Sequence, residues 1–105
     1  MPDVDELKRQ LDAGEDVLVL DVRGASEFTG EGGHISGALN LALEDLPNRM
    51  AELENYKQST IRLVCRTDRR SAQAAQLLTA AGFVDAQPVR GGMTAWNTKG
   101  WPSTQ

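Results

Sequence analysis

The residues best equipped for chemistry lie in one stretch, Ile61-Arg62-Leu63-Val64-Cys65-Arg66-Thr67-Asp68-Arg69-Arg70-Ser71. Cys65 is the chain's one cysteine and sits where an apolar, β-branched run ends. Helix-forming residues resume at Ser71. In open α/β sheets, ligands bind beyond the carboxyl ends of the strands. A short strand-to-helix turn also curls backbone N–H groups inward, and with the helix N-terminus these form an anion cradle. Arg66, Arg69 and Arg70 crowd this turn, out of eleven lysines and arginines in all. In a chain of net charge −4, that concentration focuses positive field on one point. Adjacent cations and a helix N-terminus favour thiolate over thiol, so Cys65 reads as a nucleophile for an anionic substrate. The competing reading is an inert, buried cysteine beside surface arginines. The clustering of arginines at its turn argues against it.

Other reactive types are scattered. His34, the one histidine, is a candidate general base for Cys65. Asp21, Arg23 and Glu27 are candidate acid–base residues, although a buried polar network bracing the following loop is the preferred reading. One cysteine and one histidine cannot assemble a zinc site from this chain alone.

These residues need a frame. The chain has 105 residues, 40% hydrophobic and 25% charged, which suits one soluble globular domain over residues 1–105. The acidic balance argues against nucleic acid as the main partner. No apolar run approaches a membrane span, and the N-terminus lacks the basic-then-apolar pattern of a secretory signal. Cytoplasm is the expected compartment.

Asp3 with Glu6 fits a capped helix start, and Val4, Leu7 and Leu11 recur at helical spacing up to Gly14. Val17 to Val22 is a nearly continuous apolar run, as in a strand buried on both faces. Arg23 to Asn40 is glycine-rich and long for a structureless connection, so short hidden elements are expected. Leu43, Leu46, Met50 and Leu53 predict one helical face across 41–56, with Pro47 in the first turn of its longer helix. Ile61 to Cys65 is a second strand and Ser71 to Ala81 a helix stopped by Gly82. Phe83 to Val89 is a third, weaker strand, and a short helix covers Met93 to Lys99. Strands alternating with helices predict an α/β fold with a parallel sheet and right-handed crossovers.

Several motifs now fall in order: Leu20-Asp21-Val22-Arg23 with Glu27, His34-Ile35-Ser36-Gly37-Ala38-Leu39-Asn40, the loop Cys65 to Arg70 with Ser71, Val89-Arg90-Gly91-Gly92-Met93, Ala95-Trp96 and Gly100-Trp101-Pro102. Together they resemble the rhodanese family of sulfurtransferases from Val17 to Pro102. The resemblance implies a central parallel five-stranded sheet flanked by helices on both faces. It also implies a cysteine on the floor of a six-residue loop, taking up sulfur as a persulfide. Cys65 would attack the outer sulfur of thiosulfate or a similar donor. Arg66, Thr67, Asp68, Arg69 and Arg70 would bind the anion, Arg70 foremost. A thiol or cyanide would then remove the sulfur, with no metal or organic cofactor required. The donor or acceptor could equally be another protein.

The resemblance also places His34 on a structural segment away from the loop, in a hydrogen-bonded core role. One departure is Asp68, where many members have Gly. Asp can adopt the left-handed conformation such a loop favours, but its carboxylate should oppose anions unless Arg66 or Arg69 neutralises it. Two alternatives remain. A cysteine-based phosphatase or arsenate reductase usually has five residues between Cys and Arg, where here there are four. A carrier or redox-sensing module would load sulfur once and wait for a partner. Trp96 is expected in the core, and Trp101 either caps the core or lines the cleft.

Overall fold

A computed structural model describes residues 1–105. Its elements in chain order are α1 (Val4–Asp12), β1 (Val17–Asp21), α2 (Ala25–Phe28), β2 (Leu39–Asn40), α3 (Leu46–Arg49), β3 (Thr60–Val64), α4 (Arg69–Ala80), β4 (Asp85–Pro88) and α5 (Gly92–Thr98). All strand pairs are parallel, in the spatial order β2-β1-β3-β4. The central pair aligns Leu20 with Leu63 and Asp21 with Val64, so β1 and β3 end side by side.

Alternation along these strands divides the core. Leu20, Ile61 and Leu63 face one layer, where Leu46, Leu53, Ala74 and Leu78 cover them. Val19 and Val64 face the other, covered by Val4 and Leu7 of α1 and by Met93 and Trp96 of α5. Burial on both faces is why β1 reads as a continuous apolar run. Helices therefore flank both sides of a parallel sheet, as expected. No helix is long and apolar enough to cross a membrane.

The sheet has four strands where five were expected. At the free edge of β4 the chain makes one isolated parallel bridge, Asp3 to Arg90, with Arg90 N–H donating to Pro2 O at 2.8 Å. Pairing stops there because Asp3 is already the N-cap of α1, its carboxylate accepting from Glu6 N–H at 3.0 Å. The backbone must turn helical at Val4, so no ladder can propagate.

Two other expectations need adjusting. The segment 41–56 is not one helix but α3 between two 3-10 segments, Leu43–Asp45 and Met50–Tyr56. Pro47, in the first turn of α3, has no N–H to give Leu43 O, which prevents a continuous α-helix across the joint. The third strand is shorter than 83–89 and ends at Pro88, on an edge where a missing N–H is tolerated. The glycine-rich loop does hide short elements, α2 and β2.

Candidate active site

Cys65 follows the last residue of β3 and is 1% exposed. Its sulfur accepts from Ser71 N–H at 3.3 Å, and the thiol donates to Ser71 Oγ at 3.4 Å. Ser71 Oγ in turn donates to Asp68 O at 3.0 Å. The sulfur is thereby pinned against the first turn of α4, and Ser71 is a contact that residue type alone did not announce.

Helix α4 starts two residues earlier than expected, at Arg69, so Arg69 and Arg70 belong to its first turn. Asp68 is its N-cap with φ −131°, and no residue other than glycine has positive φ. The left-handed conformation anticipated for Asp68 is therefore not used. Nor does either neighbouring arginine pair with its carboxylate. It accepts from Gly91 N–H at 2.8 Å instead of capping its own helix. That choice leaves the helix N-terminus uncapped from within. The N–H groups of Arg66, Thr67, Asp68, Arg69 and Arg70 donate to no acceptor in the protein. Successive unpaired N–H groups at a helix N-terminus are the donors an anion needs.

The loop's carbonyls are held from the opposite side. Met93 N–H donates to Cys65 O at 2.9 Å and Thr94 N–H to Arg66 O at 3.0 Å, so the first turn of α5 anchors the turn. This approach requires Gly92, where φ is +51° and a Cβ would lie 2.7 Å from Thr67 O. Gly92 thus lets α5 touch the loop.

A cavity of about 390 Å³ is lined by Cys65, Arg66, Thr67, Arg69, Arg70 and Gln73. The structure thus gathers five of the six expected site residues around one space, while Asp68 faces Gly91. Gln73 joins them because it lies one helical turn beyond Arg69 and Arg70, a spacing visible in the sequence once α4 is known to begin at Arg69. Every lysine and arginine except Arg66, Arg69 and Arg90 has a carboxylate within ion-pair distance. Two of those three line this cavity.

Arg70 is not among them. Glu27 of α2 takes both ends of its guanidinium, at 2.6 and 3.0 Å. Hydrogen bonding from Arg70 brings the Glu27 carboxyl down to about 2, Gly24 N–H assisting and partial burial opposing. The same bonding raises Arg70 further above its usual range. Glu27 therefore belongs to the site wall, not to the loop-bracing network in which the sequence reading put it. That network consists of Asp21 and Arg23, both buried and paired at 2.8 Å, with Arg23 also donating to Gly33 O at 2.9 Å. His34 stacks on Phe28 with ring centroids 3.5 Å apart and bonds Phe28 O, and it does not line the cavity that Cys65 lines. Trp101 packs edge-on against buried Trp96, between Lys8 and Lys99, and caps the second core layer.

Known proteins share this architecture. The family model described as Rhodanese-like domain matches residues 3–99. An Allochromatium vinosum protein named sulfurtransferase is 35% identical over 100 residues, covering 95% of this chain and 90% of that one. A maize protein named adenylyltransferase and sulfurtransferase MOCS3-2 is 36% identical over 96 residues, 87% of this chain but 20% of its own length. The solution structure of a rhodanese-like domain from an Anabaena protein superposes with a TM-score of 0.85 at 35% identity, covering 97% of this chain and 76% of that one.

Proposed function

The chain belongs to the rhodanese-like sulfurtransferase family, and from that premise we propose that it moves a sulfane sulfur through a persulfide on Cys65. The Cys65 thiolate attacks the outer sulfur of thiosulfate, the S–S bond of the donor breaks, and sulfite leaves with the electron pair. The observation that carries this reading is the run of unpaired N–H groups from Arg66 to Arg70 over a single cysteine. Those donors, with the free guanidinium groups of Arg66 and Arg69, hold the anionic head of the donor and then the persulfide. Arg70 is held in place beside them by Glu27, which takes one hydrogen from each terminal nitrogen and leaves Nε–H free. A cyanide ion or a thiol then takes the outer sulfur and returns Cys65 to thiolate.

The four residues between Cys65 and Arg70, one fewer than in phosphatase loops, favour sulfur chemistry over phosphate-ester hydrolysis, because a shorter loop makes a tighter cradle. Donor and acceptor can each be a small molecule or a persulfide on another protein. The test is intact-protein mass spectrometry after incubation with thiosulfate, then with cyanide. A gain of one sulfur atom, absent from Cys65→Ser and removed by cyanide, is the expected result. Absence of any gain, with turnover of a phosphate ester instead, would overturn it.

A further inference from the structure

One stretch of the chain stands apart by its lack of charge. From Ser71 to Val84 there is no charged residue, although 25% of the whole chain is charged. Most of this stretch is α4. The residues that α4 turns away from the core, Ala72, Gln73, Gln76, Leu77, Thr79 and Ala80, are exposed or half-buried. Leu77, and Val84 just beyond the helix, are among the large apolar side chains that the molecule leaves exposed. Shallow grooves run along both sides of the helix. One, of about 510 Å³, lies between α4 and the edge strand β4, with Ala75, Ala86 and Pro88 in its lining. The other, of about 470 Å³, lies between α4 and the segment that holds Leu43 and Pro47. Gln76 and Ala80 line both, so they form the crest between the grooves. Glu44 is the single charged residue along either groove.

Charge decides what can cover this face. Each chain carries a net −4, so two copies repel one another at long range. Near a two-fold axis each residue also meets its own counterpart, and any charge there meets a like charge. A second copy therefore fits only where charge is absent, and the outer face of α4 meets that condition. A partner recognised through its charge would find nothing on this face to pair with. The helix is also symmetric about Gln76, with Ala72 and Ala80 at equal spacing on either side. We propose that the outer face of α4 is a homodimer contact, the two helices packing antiparallel about a two-fold axis at Gln76. Ala72 then meets Ala80 of the partner subunit, small side chains that let the helices approach closely. Gln76 meets the partner's Gln76, each amide N–H donating to the other amide's oxygen. Leu77 meets the partner's Leu77, and their apolar surface leaves water. Each helix N-terminus comes beside the other helix's C-terminus, so the two dipoles attract. Gln73 lines both one groove and the Cys65 cavity, which places the contact at the rim of the site. The contact does not depend on the sulfur-transfer reading.

The experiment is sedimentation equilibrium of the full chain from about 1 µM to about 1 mM, a range that covers weak and firm dimers alike. A species of twice the mass of one chain is expected to dominate at the upper end. Gln76 is exposed, so its replacement leaves the core packing untouched, and circular dichroism checks that the variants fold. Gln76→Glu and Gln76→Lys each set two like charges at the axis and should weaken dimerisation at least about tenfold. An equimolar mixture of the two variants should restore the dimer, because opposite charges then face each other across the axis. Nuclear magnetic resonance of the unaltered chain gives a reading that needs no variant. Amide shifts that move with concentration should cluster at 72–80. A monomer at every concentration, as expected if a different protein covers this face, overturns the contact. So does a dimer indifferent to both charge variants, or one whose concentration-dependent shifts lie away from α4.

Discussion

Glu27 and Arg70 lie 43 residues apart in sequence and meet through two short hydrogen bonds. The drop of the Glu27 carboxyl from 4.5 to about 2 corresponds to ~3 kcal/mol if taken whole. Both side chains are about a third exposed, at 33% and 38%, so solvent screening leaves ~1 kcal/mol. A carboxyl held below its unfolded value contributes stability above about pH 4.5 that is lost as pH falls toward 2. Glu27→Gln should therefore be less stable at pH 7 by ~1 kcal/mol in urea denaturation, and the gap should close across that acid window. Asp68 supports a second test. Its carboxylate already serves Gly91 N–H, and an amide oxygen can accept that bond equally well. Asp68→Asn should keep the loop but remove a negative charge beside the cradle, lowering the thiosulfate concentration for half-maximal loading about two- to fivefold.

Helix α4 opens with two arginines and no acidic residue in its first turn. Cations at that end oppose the helix dipole by ~0.3–1 kcal/mol each, and nothing inside the protein caps the free N–H groups. An anion relieves both defects at once. Sulfate, which cannot donate sulfur as thiosulfate does, should raise the melting temperature by about 5 °C at ten times its dissociation constant. Arg69→Ala should shrink that shift. A wild-type melting temperature indifferent to sulfate would contradict the anion cradle. The element on the other side, α5, answers a complementary need: its first N–H groups satisfy the loop carbonyls. The turn at Cys65 is thus oriented by two helices, carbonyls toward α5 and N–H groups toward the cavity.

Across the whole molecule, the chain ends are tied to the site's surroundings. Thr104 and His34 exchange two hydrogen bonds of 2.8 Å, Gln105 Nε2 donates to Gly30 O, and Trp96 Nε1 donates to Pro102 O. These contacts brace the glycine-rich loop, which carries Glu27 on α2. Deleting residues 102–105 should accelerate hydrogen exchange in 30–36 while β3 and α4 keep their protection, because the central strands are buried independently of that clamp. Uniform acceleration throughout the chain would show instead that the terminus supports the entire fold.

Local pattern was enough for much of this protein. The apolar runs of β1 and β3, the capped start of α1, the long glycine-rich loop and the cysteine–arginine turn are all legible because each depends on neighbours in sequence. The fifth strand was not, since whether Asp3 pairs beyond one residue is settled by where α1 begins. Asp68 was misread for a similar reason: its conformation and partner depend on Gly91, which only the packing of α5 brings near. Glu27 could be recognised as noteworthy, but its placement against Arg70 required the sheet to bring α2 and α4 together. The strand–Cys65–helix unit and the chemistry available there follow from local residue order alone. The tertiary structure decided which arginines stay free for an anion, because ion pairing is a competition among all charged groups within reach in space.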